Sequence, residues 1–134
     1  MVPFLDLTRQ YAKIKSEILS ATQRVYEKGH FILGEEVSAF EEEYSHYCGV
    51  RYGVGVGSGT DALFLALKAA DIGQGDEVVT VANSFVVTAF AISFTGAKPL
   101  FVDVDPSTYT MDPNYLEHIL KRRRAKGSGG RIKA

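Results

Sequence analysis

The sequence predicts an α/β fold: a parallel strand–helix–strand–helix–strand unit preceded by two helices. Three observations predict it. Short apolar runs (YGVGVG, EVVTV and PLFVDV) recur along the middle of the chain. Between them lie the helix-length apolar stretches TDALFLALKAADI and SFVVTAFAISF. The remaining connections, GQGD and GAK, are short. Apolar strands alternating with helices across short turns imply parallel strands covered on both faces and joined by right-handed crossovers.

Taken in order, Tyr11, Ile14, Ile18, Ala21 and Val25 fall at steps of three and four, one face of a first helix that Gly29 is placed to stop. Val37, Phe40, Tyr44 and Tyr47 mark a second helix, with Glu41, Glu42 and Glu43 facing out and Gly49 as its end. HFILG links the two. YGVGVG reads as a short buried strand ending in glycines, and TDALFLALKAADI as a helix apolar around most of its circumference. GQGD turns the chain into the strand EVVTV. SFVVTAFAISF then reads as a buried helix, and PLFVDV as the third strand. DPSTYTMDP is a loop of turn formers, after which Pro113 opens a last helix, NYLEHILKRRR. KGSGGRIKA has no periodicity and reads as disordered.

A chain of 134 residues with 46% hydrophobic and 23% charged residues is one ordinary globular domain's worth, or a piece of a larger one. No apolar run approaches the ~18 residues of a membrane span. MVPFLDLTRQ lacks the basic-then-apolar layout of a secretory signal, and the single cysteine, Cys48, forms no internal disulfide. On these features the expected compartment is the cytoplasm.

The net charge of −1 hides an asymmetry. Seven of the 15 basic residues follow Leu120, where there is no acid, so residues 1–120 hold eight bases against 16 acids, a balance of −8. The expected division is an acidic body, residues 1–120, and a basic, disordered tail, residues 121–134.

The stretch VGVGSGTDAL carries the densest signal. A strand that ends in glycines and feeds a helix leaves backbone N–H groups pointing at one spot, with the positive end of the helix dipole behind them. A phosphate suits that spot; Thr60 adds a hydroxyl, and the backbone N–H of Asp61 is expected to face the anion. The other reading is packing, since glycine turns between strand and helix also serve close approach. No Gly-Lys-Ser/Thr triplet follows, which excludes a Walker loop. Gly57-Ser58-Gly59-Thr60-Asp61-Ala62 matches the dinucleotide pattern G-x-G-x-x-A. The acid at the right spacing, Glu77, however precedes the next strand and would lie at the wrong end of the sheet to hold a ribose.

A resemblance makes the ligand specific. PFLDL, the FILGEEV–FEEEY pair, SGTDAL, GDEVVT and GAKPLFVDVDPSTYTMDP, in this order and spacing, resemble the DegT/StrS class of pyridoxal-phosphate-dependent sugar aminotransferases. The likeness runs from about Val2 to Leu120. It implies the N-terminal part of the large domain of a fold-type I, aspartate aminotransferase-like transferase. By the same resemblance Gly59, Thr60 and Asp61 bind the phosphate of pyridoxal 5'-phosphate, and Phe85 stacks on its ring, a role that suits a flat aromatic face. The implied chemistry is transamination of a nucleotide-linked keto sugar, with glutamate as a typical amino donor, in a homodimer to which the first two helices contribute. The Schiff-base lysine and the acid facing the pyridine nitrogen belong to the family pattern well beyond residue 120. No catalytic residue is therefore expected in these 134, and the chain reads as truncated.

The other chemistry-bearing residues support less. Lys68 lies two turns into its helix, about 10 Å along the axis at ~1.5 Å per residue. Lys13, Lys15, Lys28 and Lys98 read as solvent-facing, with none in a buried setting that would lower its pKa. Asp103 and Asp105 could flank a cation but lack an evident third ligand, and strand termination is the expected role. His30, His46 and His118 have no Cys/His partner spacing, so no metal site is expected. The alternative to the enzyme reading is an inactive remnant or anion-binding module working through the basic tail. That tail has no interleaved aromatic, and the acidic body opposes a polyanion, so nucleic acid is not an expected partner.

Overall fold

The computed structural model describes residues 3–126 and 131–133. Two compact units make it up, one from the N-terminus to Gly55 and one from Val56 onward.

The first unit holds α1 (Thr8–Lys28) and α2 (Glu35–Tyr47). Gly29 ends α1 in the left-handed region (φ 68°), its N–H donating to the Val25 carbonyl, as expected of a glycine stop. Lys28–Glu35 and Arg24–Glu36 (3.5 Å) ion pairs tie the end of α1 to the start of α2, beside an edge-to-face Tyr26–Phe31 pair. The anticipated apolar face of α1 buries nothing: Tyr11, Ile14 and Ile18 stay exposed, and Ala21 and Val25 are half-buried.

On α2 the packed face is not the one its aromatics suggest. Phe40, Tyr44 and Tyr47 are exposed, whereas Val37, Glu41 and Ser45, at i, i+4 and i+8, turn inward. The segment Gly53–Gly55 lies on that face. A Cβ at position 53 would sit 2.9 Å from the Glu41 carbonyl oxygen, and one at 55 would sit 3.3 Å from Glu41 Oε1. The Gly55 N–H donates to that same carboxylate oxygen at 2.6 Å. Here the expected outward-facing Glu41 and the expected strand YGVGVG both give way. Residues 52–57 form no strand, because their hydrogen bonding and close packing are taken up by a helix, and alternate glycines offer no side chains to a sheet.

The second unit carries the α/β core. It runs α3 (Gly59–Ala69), β1 (Asp76–Val81), α4 (Val87–Phe94), β2 (Lys98–Val102), α5 (Pro113–Lys126) and β3 (Arg131–Ile132). β1 is central in a parallel sheet of order β2-β1-β3; Glu77 pairs with Lys98 and Val81 with Val102. Leu67 packs against Ile72, Val78, Ile92 and Ala97. These contacts bring the last turns of α3 and α4 to the starting ends of the strands. Their first turns therefore lie toward the opposite edge, where β1 and β2 end.

The basic stretch departs from expectation. α5 runs through residue 120 without a break to Lys126, and Arg131–Ile132 pairs in parallel with Asp76–Glu77 of β1. Residues 127–130 and 134 lie outside the described residues. The physical reason is charge pairing with the body: Arg123 Nη1 is 3.0 Å from the buried Glu77 carboxylate, and Lys133 Nζ is 3.3 Å from that of Asp76 and bonds the Asp71 carbonyl. Lys121 pairs with Glu117 within α5 at 2.7 Å.

Candidate cofactor site

Ser58 is the N-cap of α3. It is extended (φ −162°, ψ 165°), and its hydroxyl accepts the Asp61 N–H at 3.1 Å while lying 2.8 Å from the Asp61 carboxylate. The Asp61 N–H, expected to face an anion, is therefore already committed to the cap. The two amides ahead of it, on Gly59 and Thr60, occupy the first helical positions, where no carbonyl one turn earlier can receive them. A Cβ at Gly59 would meet no heavy atom within 4 Å, so the space a side chain would fill there is open. Gly57 is different, since a Cβ there would come 3.2 Å from Asp61 Oδ2. The four glycines of residues 53–59 thus divide: Gly53 and Gly55 serve packing on α2, Gly57 makes room for the cap, and Gly59 leaves open space.

Phe85 lies in the turn between β1 and α4, at the edge of the sheet where β1 ends, and is 76% exposed. Beside it is a cavity of about 220 Å³, lined among others by Val81, Ala82, Ser84, Thr88 and Phe101. The first turns of α3 and α4 face the same edge, so Gly59, Thr60, Asp61 and Phe85 all belong to it. This arrangement can receive a planar group bearing a phosphate: N–H donors at the positive end of a helix dipole for the anion, and a free aromatic face for the ring.

Among the described residues no lysine lines the Phe85 cavity. Lys68 is in the last turn of α3, and Lys98 begins β2 opposite Glu77, at the far end of the strands. Asp103 and Asp105 act as strand and turn terminators, as expected. Asp103 Oδ1 accepts the Val104 N–H at 2.8 Å, and Asp105 Oδ1 accepts the Ser107 N–H at 2.7 Å together with the Ser107 hydroxyl. The Ser107 hydroxyl, then its N–H, hold the Asp105 carboxyl below the usual aspartate range. Among the described residues no group of three or more His, Cys, Asp or Glu could hold a metal ion.

The DegT/DnrJ/EryC1/StrS aminotransferase family model matches residues 12–127. The chain belongs to that family. It is 44% identical over 123 residues to the dTDP-3-amino-3,6-dideoxy-alpha-D-galactopyranose transaminase of Aneurinibacillus thermoaerophilus, covering 92% of this chain and 34% of the relative. A DegT/DnrJ/EryC1/StrS aminotransferase from Brucella abortus overlays with a TM-score of 0.91 at 35% identity, over 98% of this chain and 35% of that one. The Bacillus subtilis protein ntda with bound cofactor PMP overlays with a TM-score of 0.83 at 36% identity, over 87% of this chain and 27% of that one. The chain spans about a third of the length of the curated relative it matches. The expected class is borne out: α/β, in the N-terminal portion of an aminotransferase fold. The overlay onto the Brucella chain, covering 98% of this one, also extends past the expected boundary at residue 120.

Proposed function

We propose that residues 56–134 supply the phosphate cradle and one ring face of a pyridoxal 5'-phosphate site in a nucleotide-sugar aminotransferase. The observation that carries this reading is the pair of amides on Gly59 and Thr60, which at the N-terminus of α3 have no carbonyl one turn earlier to receive them, together with the exposed Phe85 in the turn after β1. Family membership and a structural relative with bound cofactor PMP support it.

When bound, pyridoxal phosphate supplies the electron sink through which an amino group and a keto oxygen are exchanged between substrates. The chain's own contribution is binding and orientation. The Gly59 and Thr60 N–H groups donate to phosphate oxygens, the Thr60 hydroxyl adds a third donor, and the α3 dipole favours the dianion. Asp61 acts through the cap: its carboxylate and N–H engage Ser58, which holds the first turn of α3 in place for the two free amides. Phe85 covers one face of the ring and excludes water from it. The Schiff-base lysine and the acid facing the pyridine nitrogen are assigned to no residue among these 134. The keto sugar, carried on a nucleotide, and an amino donor such as glutamate are the proposed substrates. A homodimer is the proposed assembly, with the unpartnered apolar stripe of α1 as support.

Absorbance titration with pyridoxal phosphate tests the reading. Saturable binding that inorganic phosphate displaces and Gly59→Val weakens is the expected result. Equal affinity in wild type and Gly59→Val would sink it. The anion-module alternative predicts instead that loss of Arg122 and Arg124 abolishes binding.

A further inference from the structure

We infer that Ser84 and Thr88 form a clasp that sets the pose of Phe85, and so act as positioning residues for the cofactor ring; the inference rests on the pyridoxal-phosphate reading above. The N-cap of α4, Val86, offers no side-chain oxygen to the first turn. What stabilises that turn instead is a hydroxyl pair spanning Phe85: Ser84 Oγ and Thr88 Oγ1 are hydrogen-bonded at 3.0 Å. The backbone is stitched on either side, with the Ser84 N–H donating to the Ala82 carbonyl and the Thr88 N–H to the Phe85 carbonyl, both at 2.9 Å.

The need for a clasp follows from exposure. A phenylalanine 76% exposed has few packing contacts to fix the direction of its ring. The cavity of about 220 Å³ next to it has Val81, Ala82 and Phe101 in its wall. Burying the ring there would remove apolar surface from water, so the free energy of burial favours collapse into the cavity over presentation to a ligand. Ser84 and Thr88 also line this cavity, and their hydrogen bond closes the five-residue turn from which the ring projects. Without that bond the turn can relax and the ring can fall toward Phe101. The phosphate cradle, on α3, would be untouched.

The test compares wild type, Thr88→Val, Ser84→Ala and Thr88→Ser in the full-length protein, using pyridoxal phosphate and inorganic phosphate as separate probes. Losing one such hydrogen bond should weaken pyridoxal phosphate roughly two- to tenfold in Thr88→Val and Ser84→Ala. Those variants should also lose or shift the circular dichroism band of the bound cofactor. Phosphate affinity should stay at the wild-type value, and Thr88→Ser should restore both signals. A fluorine label on the ring of residue 85 gives a readout without cofactor, moving to a less solvated environment in Thr88→Val. Wild-type dichroism and affinity in both variants would overturn the clasp, as would parallel losses of phosphate and cofactor affinity, which would mark a general structural role. A wild type that binds phosphate but shows no cofactor band would overturn the pyridoxal-phosphate reading first.

Discussion

Ser58 and Asp61 satisfy one another at the start of α3: the Asp61 N–H donates to Ser58 Oγ at 3.1 Å, and that hydroxyl lies 2.8 Å from the Asp61 carboxylate. The relationship changes what the first turn can offer. An anion at this helix end would meet the amides of Gly59 and Thr60, with Asp61 as a brace rather than a donor. The negative charge of Asp61 is turned onto the cap, which reduces its conflict with a phosphate.

Ser58→Ala is expected to remove the cap and destabilise the second unit by about 1 kcal/mol, the ordinary cost of losing an N-cap side chain. Ser58→Asn should recover most of it, and Ser58→Asp less, because its carboxylate would face that of Asp61. Midpoints of urea unfolding measure the difference, with an unchanged slope showing that compactness is retained. Wild-type stability in Ser58→Ala would mean the cap holds nothing that water cannot.

The glycines of residues 53–59 separate by substitution. Gly53→Ala forces a methyl against the Glu41 carbonyl oxygen, 2.9 Å from the ideal Cβ position, and should cost roughly 1–3 kcal/mol, as overpacking does. Gly59→Ala meets nothing within 4 Å and removes backbone freedom from a helix start, so stability should hold or rise by up to about 1 kcal/mol. The same methyl would narrow the approach to the Gly59 and Thr60 amides and weaken pyridoxal phosphate. A pair of thermal melts beside two titrations decides it, and a destabilised Gly59→Ala would contradict the open space at that position.

Much of this was readable in advance, and the misses have local causes. α3, β1, α4 and β2 announce themselves because long apolar runs broken by Gly-containing turns leave few other solutions. Tyr52–Gly57 misled because alternate apolar residues and glycines fit a buried strand, whereas the partner that captured them, Glu41, lies 14 residues from Gly55. The packed face of α2 was hidden for a related reason: Phe40 and Tyr44 are the larger apolar groups, but close approach of a glycine segment selects the small Ser45. β3 is two residues long inside a basic run, and the only sequence hint was Ile132 beside cations facing the acids Asp71, Asp76 and Glu77. Chain order alone puts Gly59 and Thr60 at the start of α3 and Phe85 in the turn after β1. The Ser84–Thr88 bond was missed, although a hydroxyl pair at i, i+4 across a helix start was its signal.

Acid should loosen the loop after β2. The Ser107 hydroxyl and N–H lower the Asp105 carboxyl below its unfolded value, so the ionised form is the one the folded loop prefers. Such a group contributes stability above its unfolded pKa and loses it as pH falls through the lower folded one. Protection of the Ser107 amide, taken relative to its intrinsic exchange rate at each pH, should therefore hold steady from neutral pH down to the usual aspartate range and fall only below it. Asp105→Asn should remove that acid step; a step that survives the substitution would assign it to another carboxylate.

Glu77 and Arg123 give the sharpest test of the basic stretch. Glu77 is 4% exposed, its Oε2 accepts no aligned hydrogen bond, and Arg123 Nη1 at 3.0 Å is the compensating charge. Removing one partner of a buried pair strands the other, so Arg123→Met should cost roughly 2–4 kcal/mol. Glu77→Gln should be milder, because it leaves the cation partly solvated on α5, and Glu77→Gln combined with Arg123→Met should cost less than the sum of the two. If residues 121–133 were a free basic tail, Arg123→Met would leave the unfolding midpoint unchanged and the double mutant would be additive. The double-mutant cycle thus reports on whether α5 and β3 are part of the fold.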